Sequence, residues 1–368
     1  MIPVNEPTVG EREIEYVSEC LLTGWISSAG RFLEAFEQAW AAYCGRAYGV
    51  AVSSGSAALD VAVRCCRLDE GDEVIVPSFT IISCVQSILS AGAIPVLVDC
   101  DPETWCMDVG DVERKLTSRT RAIMPVHIYG HPVDMEPLME LAASRGLRVI
   151  EDAAEAHGAE YRGRRCGSFG DASCFSFYAN KIVTTGEGGM IVTDDEGIAE
   201  HARSLRNLCF QAGRRFVHEE LGYNYRMTNV QAAIGLAQVE RVEATVAHKR
   251  DIGRAYTEAL SGVAALQLPV ERSWARNVYW MYGVVLDDRS GIDALEFANR
   301  LADRGVGTRP FFVGMHEQPA LLGLGLFKGE RYPVTERITR RGLYLPSGTA
   351  LAIDDVHAVC DAVREVLR

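Results

Sequence analysis

The chain lacks an excess of basic residues and any long hydrophobic run. Its 37 lysines and arginines are outnumbered by 50 aspartates and glutamates, which gives a formal net charge of -13. Nucleic acids and anionic membranes bind basic surfaces, so this balance argues against both as partners. No apolar run is long enough to span a bilayer, and no signal peptide heads the sequence. We therefore expect a soluble protein of the cytoplasm.

The sequence also lacks the cysteine and histidine spacings of disulfide frameworks and metal sites. Its eleven cysteines are scattered without a C-x-x-C pair, as expected for reduced, buried thiols. His127 and His131 are four residues apart, but Gly130 and Pro132 would break any helix that aligned them. We expect no metal.

What the chain does have is a regular alternation of strand and helix patterns. Strands are predicted at 73–77, 94–99, 122–128, 147–151, 173–178 and 189–193, and helices at 56–68, 81–92, 134–145 and 196–207. This order predicts an α/β fold with a mostly parallel sheet wrapped by helices. With 368 residues, 48% of them hydrophobic, the chain can bury a sizeable core.

A second, smaller unit is predicted at the C-terminal end. A helical pattern runs over 229–260, and a strand at 279–286 and helices at 291–304 and 354–367 follow it. We predict a large domain over 1–245 and a small α/β domain over 246–368. The Gly- and Leu-rich stretch 320–328 is predicted to be a loop that borders the substrate.

Lys181 is the most informative single residue. It follows the apolar and small residues of 175–180 and precedes a glycine-rich turn at 186–189. A partly desolvated pocket disfavours the ammonium form, and a lysine of lowered pKa is the nucleophile that Schiff-base chemistry requires. Taken alone, a surface lysine at the end of a strand fits the same pattern.

Asp152 follows the short apolar strand at 147–151, where ligands of open α/β sheets collect. A carboxylate there can keep a pyridine nitrogen protonated, so that the ring accepts electrons from a carbanion. An aspartate at a strand-to-helix junction can equally be a helix N-cap. Both interpretations stay open.

The third feature is the turn after the apolar residues 50–52, where Gly55 and Ser56 precede a helical pattern. Small residues at a helix start let backbone N–H groups close on an anion, so this turn is a candidate phosphate site. Turns of this composition are also common as simple connections.

Together and in this order, the three features resemble the sugar aminotransferases of the DegT/DnrJ/EryC1/StrS family. The resemblance runs through nearly the whole chain and includes the segments 24–28, 71–77, 222–228 and 308–310. It implies the pyridoxal phosphate (PLP)-dependent transferase fold type I, which is aspartate aminotransferase-like, with a large domain and a small C-terminal domain. Within the family, segments 151–156 and 277–281 are most similar to the branch that aminates GDP-4-keto-6-deoxymannose at C4.

The resemblance implies roles for individual residues around pyridoxal 5'-phosphate. Lys181 matches the Schiff-base lysine, and Asp152 matches the partner of the pyridine nitrogen. Glu155 stands where many members have a glutamine that contacts the phenolic oxygen, and an ionised glutamate would repel a phenolate, so one of the two should hold a proton. Ile81 stands where an aromatic residue often stacks on the ring, so an aliphatic side chain must cover that face.

The resemblance also implies how the phosphate is held. Ser56 and Ser176 match the phosphate-binding hydroxyls, and Gly55 and Ala57 would add backbone groups. Asn224 matches a residue that reaches the phosphate from the second subunit of a homodimer. A turn role for Asn224 is the alternative, since asparagine tolerates unusual backbone angles.

Individual residues at the site must bind the anionic substrate, because the chain as a whole is acidic. Candidate substrate residues are Trp25, Tyr178, Arg226, Arg309 and His316. Lys249 and Arg250 are further basic candidates, although any one such residue can be a solvated charge or an ion-pair partner.

The resemblance implies a two-stage transamination. L-Glutamate would give its amino group to the cofactor, leaving pyridoxamine phosphate and 2-oxoglutarate, and the amine would then pass to the keto group of a nucleotide-linked hexose. Lys181 would serve both stages as general acid and base. Family dehydratases have histidine in place of this lysine, so Lys181 favours transamination.

Three other functions compare with this one as follows. A dehydrogenase would need G-x-G-x-x-G after the first strand, and residues 54–59 lack it. Amination of a 3-ketosugar or a cyclitol remains the close alternative within the family. A non-catalytic, cofactor-loaded sensor also stays open.

Overall fold

The computed structural model describes residues 1–211, 213–214 and 216–368. Within these ranges the strands are β1 (Tyr48–Val52), β2 (Glu73–Pro77), β3 (Ile94–Val98), β4 (Thr120–Ile123), β5 (Arg148–Asp152), β6 (Glu160–Tyr161), β7 (Arg164–Arg165), β8 (Ala172–Ser176), β9 (Gly189–Thr193), β10 (Leu266–Gln267), β11 (Ala275–Arg276), β12 (Tyr282–Leu286), β13 (Arg309–Pro310) and β14 (Gly342–Leu345). They form sheets of seven, four and three strands.

The seven-stranded sheet has the order β1-β9-β8-β5-β4-β2-β3. All of its neighbouring pairs are parallel except those of β9, which runs antiparallel to β1 and β8. The predicted α/β class with a mostly parallel sheet is therefore confirmed. Because β1, β2, β4, β5 and β8 point the same way, their carboxyl ends meet at one edge, which is where open α/β sheets bind ligands.

The helices flank this sheet and the smaller one. They are α1 (Glu11–Thr23), α2 (Arg31–Cys44), α3 (Gly55–Cys65), α4 (Ile82–Ser90), α5 (Val109–Lys115), α6 (Met135–Arg145), α7 (Glu196–Leu205), α8 (Asn229–Val239), α9 (Val242–Leu260), α10 (Ala294–Ala302), α11 (Pro319–Gly323), α12 (Pro333–Arg341) and α13 (Ile353–Val366). The sequence predictions do not include α1 and α2, although the buried residues Phe32, Phe36 and Trp40 recur at helical spacing in α2.

The single helix predicted over 229–260 is wrong, because the structure has two helices there. The chain leaves helical geometry at Arg241, with φ -121° and ψ 12°. The guanidinium of Arg241 donates to the buried carboxylate of Glu13 at 2.6 Å and to the carbonyl of Thr8 at 2.7 Å. These partners lie more than two hundred residues away, so the local periodicity does not reveal the break.

The C-terminal unit is built on the four-stranded sheet β10-β12-β14-β13 and has its own hydrophobic core. α9 and α13 contribute to that core through residues such as Tyr256 and Val359. Ile2, near the N-terminus, pairs with Val306 in this unit. The predicted boundary at 245/246 falls inside α9, and this division of the chain remains a prediction.

The cysteines and the stretch 320–328 were also the subject of sequence predictions. All eleven cysteines are free, as predicted, and ten of them are buried. The stretch 320–328 was expected to be a loop throughout, but α11 occupies its first part, beginning at Pro319 in the N-terminal position that proline favours. In the described part of the chain, no helix is long and apolar enough to cross a membrane.

Candidate active site

A cavity of about 340 Å³ opens at the carboxyl edge of the large sheet. The turns that follow β1, β2, β5 and β8 supply most of its lining, and the C-terminal unit supplies the rest. The lining residues are Ser54, Gly55, Ser56, Leu59, Thr80, Ile81, Ser83, Val126, Asp152, Ala154, Glu155, Cys174, Ser176, Tyr178, Asn180, Lys181, Glu187, Trp280, Arg309, Phe312 and Tyr344. The parallel strands thus bring distant segments of the sequence to one place.

Lys181 lies in the loop between β8 and β9, and its side chain is only 10% exposed. Its Nζ lies 3.7 Å from Oε1 of Glu155 and 3.5 Å from the centroid of the Trp280 ring. Burial lowers the pKa of the Lys181 amine, while the Glu155 carboxylate opposes that shift. Lys181 is therefore a buried amine beside a single close carboxylate and not a surface lysine.

Glu155 is buried beside Lys181. Its Oε2 accepts a 2.7 Å hydrogen bond from the backbone N–H of Tyr129, a residue with a left-handed φ of 52°. Such a φ is strained for a bulky residue, and here it aims the N–H at the carboxylate. Burial raises the pKa of the Glu155 carboxyl, although Lys181 and the Tyr129 N–H oppose the shift. Burial thus favours the neutral forms of both Glu155 and Lys181, which lie side by side.

Asp152 ends β5, and its side chain is 2% exposed. Oδ1 accepts from the N–H of Ala154 at 3.0 Å, and Oδ2 accepts from the thiol of Cys84 at 3.1 Å. No helix begins within the described residues that directly follow Asp152, so the helix N-cap interpretation is wrong. Burial raises the pKa of the Asp152 carboxyl.

The N-terminus of α3 forms the opposite end of the cavity. Ser54 caps this helix, and its side chain accepts from the N–H of Ala57 at 3.1 Å. The hydroxyls of Ser56 and Ser83 are 2.7 Å apart. A Cβ on Gly55 would lie 2.7 Å from that of Ser176, so only glycine fits there. The arrangement leaves the helix N-terminus and the hydroxyls of Ser56, Ser83 and Ser176 lining one small space.

These groups fit pyridoxal phosphate. A helix N-terminus with surrounding hydroxyls suits the phosphate, and the glycine at position 55 lets Ser176 pack directly against the start of α3. Asp152 is a buried carboxylate with acceptor capacity to spare, and Lys181 supplies the amine. One expected contributor differs, because Ala57 lies outside the lining and its N–H is already bonded to Ser54.

Three of the remaining predicted residues line the cavity, namely Ile81, Tyr178 and Arg309. Ile81 is 41% exposed, as is consistent with a side chain that covers an open face. The other predicted cofactor and substrate residues lie outside this lining, in the part of the chain that the structure describes: Trp25, Asn224, Arg226 and His316.

The reasons for those positions differ. His316 is buried, and its Nδ1 bonds the hydroxyl of Ser78 at 2.8 Å. Arg226 donates to the side-chain oxygen of Asn207 at 2.9 Å. Trp25 and Asn224 are exposed on the surface. His316 therefore forms a hydrogen bond inside the protein and does not line the cavity, where the sequence analysis expected it to meet the substrate.

The two further basic candidates also lie outside the cavity lining. Lys249 is buried and donates to the backbone carbonyls of Trp280 and Ser347. Arg250 pairs with Glu271 at 3.0 Å. Their contacts are internal, so the expectation that they meet the substrate is not supported.

The sequence predictions include Arg309 of the C-terminal unit but missed the aromatic residues that this unit contributes. Trp280, Phe312 and Tyr344 line the cavity opposite the sheet edge. No local pattern identifies these residues as site residues, because they reach the cavity only through the packing of the smaller sheet. Thr80 and Ser83 were also missed, although their position just after β2 is the same signal that identified Asp152.

Among the described residues, one group has the geometry to hold a metal: His127, Glu151 and Cys166. The oxygens of Glu151 already accept bonds from His127, from the N–H groups of Gly167 and Phe169, and from the hydroxyl of Ser173. The carboxylate is thus used to tie loops together. The expectation of no metal stays a prediction.

Comparison with known proteins supports the resemblance noted in the sequence. The model of the DegT/DnrJ/EryC1/StrS aminotransferase family matches residues 7–364. GDP-perosamine synthase of Escherichia coli O157:H7 is 42% identical over 364 residues, which cover 99% of this chain and 98% of that protein. The dTDP-3-amino-3,4,6-trideoxy-alpha-D-glucose transaminase of Streptomyces venezuelae is 38% identical over 338 residues, covering 91% and 87% respectively.

A solved structure gives the same result. DesV of S. venezuelae, in complex with a ketimine intermediate, superposes with a TM-score of 0.90 at 36% identity, covering 97% of this chain and 94% of that one. Sequence and fold therefore agree over almost the full length. The chain belongs to the DegT/DnrJ/EryC1/StrS aminotransferase family and is a pyridoxal phosphate-dependent aminotransferase.

Proposed function

We propose that this enzyme transfers the amino group of L-glutamate to C4 of a nucleotide-linked 4-keto-6-deoxyhexose, namely GDP-4-keto-6-deoxymannose. The observation that carries the proposal is the convergence of Lys181, Asp152 and the N-terminus of α3 on one cavity. The substrate rests on the full-length similarity to GDP-perosamine synthase.

Bound pyridoxal phosphate would supply an electron-accepting ring that stabilises negative charge at the amino-bearing carbon. Lys181 would hold the cofactor covalently, and its amine, once released, would carry a proton between the amino-bearing carbon and the cofactor's C4′ carbon. Asp152 would keep the ring nitrogen protonated. Ser56, Ser176 and the first N–H groups of α3 would hold the phosphate.

Glu155 would hold or release a proton as the protonation state of Lys181 changes. Its 3.7 Å distance from the Lys181 amine and its raised pKa favour a carboxyl that holds a proton when the amine gives one up. A protonated Glu155 would also donate to the phenolic oxygen of the cofactor, where an ionised one would repel it. The glutamate at this position is thereby compatible with the role of the usual glutamine.

The substrate side of the cavity is formed by the C-terminal unit. Arg309 is exposed at the rim and can meet an anionic group. Trp280, Phe312 and Tyr344 give an aromatic wall that suits the apolar faces of a deoxyhexose. Tyr178, which is 47% exposed, faces the same opening.

A panel of ketosugars tests the substrate. GDP-, dTDP- and UDP-linked 4-keto and 3-keto deoxyhexoses are each incubated with the enzyme and L-glutamate, and products are identified by mass and NMR. We expect the GDP-linked 4-ketosugar to give a 4-amino sugar with the highest kcat/KM. A preference for a dTDP-linked 3-ketosugar would replace this substrate with the type named in the S. venezuelae relative, and no amination of any ketosugar would favour a sensor.

We also propose that the enzyme is a homodimer whose active sites use residues of both subunits. Asn224 is exposed and outside the cavity of its own chain, as a residue that serves a partner should be. Nearby, Leu22, Trp25 and Ile26 expose large apolar surfaces, and the backbone of Ser27 accepts from the N–H of Asn229, five residues after Asn224. Exposed apolar side chains of this size mark interaction surfaces.

A mixing experiment tests the shared site. Asn224→Asp places a negative charge against the partner's phosphate, and Lys181→Ala removes the amine, so each homodimer should be nearly inactive. In a mixed dimer, one site takes Lys181 from the first variant and Asn224 from the second. With random pairing of equal amounts, about a quarter of wild-type turnover should return, because half of the dimers are mixed and each has one intact site.

The matched control mixes Lys181→Ala with Asp152→Ala. Both residues line the cavity of one chain, so no pairing of these variants restores a site and turnover should stay at the level of the components. If the Asn224→Asp mixture stays equally inactive while mass spectrometry detects mixed dimers, Asn224 does not act across an interface.

A further inference from the structure

Cys84 is a buried residue that the proposed mechanism does not yet use. It lies in α4, its side chain is fully buried, and its sulfur is 3.1 Å from Oδ2 of Asp152. The hydroxyl of Thr80 is 3.2 Å from the same sulfur. An ionised Asp152 can only accept, so in that state the thiol hydrogen points to Oδ2 and the Thr80 hydroxyl donates to the sulfur.

The hydrogen bonds therefore run in one direction, from the Thr80 hydroxyl to the Cys84 sulfur and from the Cys84 thiol to the Asp152 carboxylate. Burial raises the pKa of the Cys84 thiol well above its usual range, so the thiol stays protonated and remains a donor. An S–H group is a weak donor. It can orient the carboxylate while withdrawing less of its negative charge than an O–H or N–H group would.

We propose that Cys84 is a positioning residue that fixes the orientation of the Asp152 carboxylate through its S–H bond and preserves the basicity of that carboxylate. One carboxylate oxygen accepts from the Ala154 N–H and the other accepts from the thiol. Each oxygen keeps a lone pair for a further donor. This inference rests on the proposed role of Asp152 toward the ring nitrogen.

Other groups also face Asp152, and the test must hold them constant. Lys181 and His127 interact electrostatically with Asp152, and Asp152 in turn interacts with Glu155 and with the Cys174 thiol. In the described part of the chain, none of their side chains bonds a carboxylate oxygen of Asp152, and the N–H of His127 bonds only the backbone carbonyl of that residue. Substituting Cys84 therefore changes one of the two bonds that the carboxylate accepts.

The first test is an infrared measurement of S–H stretching bands in the protein without cofactor. We expect one band at lower frequency than the other thiol bands, because a carboxylate acceptor weakens the S–H bond. That band should vanish in Cys84→Ala and move to higher frequency in Asp152→Ala. Cys360→Ala is the matched control, since Cys360 is buried in the second core and lies outside the cavity lining. If the frequency of the Cys84 band is the same in Asp152→Ala as in the wild-type protein, the thiol does not donate to Asp152 and the proposal is wrong.

The second test loads the enzyme with pyridoxal phosphate carrying ¹⁵N in the ring. At one fixed pH, the ¹⁵N shift reports how far the shared proton lies toward the ring nitrogen. Cys84→Ser, a stronger donor, should make the carboxylate less basic and displace the resonance toward the unprotonated form. Cys84→Ala should displace it in the opposite direction.

A packing role alone would not give displacements of opposite sign, so shifts in the same direction or none would overturn the proposal. For Cys84→Ser we also expect kcat to fall about two- to tenfold with KM unchanged, the range of one neutral hydrogen bond. The two tests separate the failures. A wild-type protein that shows the S–H contact but binds no cofactor contradicts the proposed function, whereas one that binds cofactor without the contact contradicts the role of Cys84.

Discussion

Lys181→Ala is expected to abolish amino transfer, with a loss of at least about two to four orders of magnitude in kcat, the range for a positioned general acid or base. Lys181 is the one lysine among the described residues that line the cavity. No neighbouring amine can replace it, because Lys249 is buried in contacts with Trp280 and Ser347. Amino sugar formation measured by mass spectrometry checks the result.

Two comparisons make this prediction specific. Lys115→Ala removes a lysine of α5 that lies outside the cavity lining, and it should leave turnover near the wild-type value. Lys181→Ala should still bind pyridoxal phosphate, since the phosphate and ring contacts remain. If Lys181→Ala keeps more than about a tenth of wild-type kcat, a loss far below that expected for a general base, the role assigned to Lys181 is wrong.

Asp152→Asn has the second largest expected effect. The change removes the negative charge that would stabilise the protonated ring nitrogen, and a charge-assisted hydrogen bond is worth about 1.5–3 kcal/mol, or roughly 10- to 150-fold in rate. Turnover should fall more than cofactor content, because the phosphate contacts are untouched. Both quantities can be measured on one preparation.

Asp171→Asn serves as the matched control for Asp152→Asn. Asp171 lies just before β8, at the opposite end of that strand from the cavity, and its carboxylate accepts from the N–H of Val149 at 2.9 Å. Its replacement should leave kcat nearly unchanged. Full turnover of Asp152→Asn would mean that the carboxylate has only a structural role.

The part of the site on the large sheet could be predicted because it depends on local sequence. Asp152 ends an apolar strand, Gly55 and Ser56 begin a helix after another, and Lys181 precedes a glycine-rich turn. Parallel strands bring such positions to one edge whatever their separation in the chain. Strand β2, predicted over 73–77, has the predicted bounds for the same reason, since a short apolar run shows its own limits.

The rest depends on contacts between distant segments. Trp280 and Tyr344 reach the cavity through the packing of the C-terminal unit, and Arg241, at which the predicted long helix is interrupted, bonds the distant Glu13. His316 was expected at the substrate but is buried against Ser78. Side-chain chemistry alone does not reveal whether a histidine faces a cavity or a neighbouring side chain.

The most direct test of the central claim is to reduce the pyridoxal phosphate-loaded enzyme with borohydride and map the modified peptide. A covalent link to a lysine should make the wild-type protein yellow, and reduction should bleach the colour irreversibly. Mass spectrometry should then place the reduced cofactor on the peptide that contains Lys181, and the same treatment of Lys181→Ala should yield no adduct. A reduced cofactor on any other lysine of the wild-type protein would contradict the account.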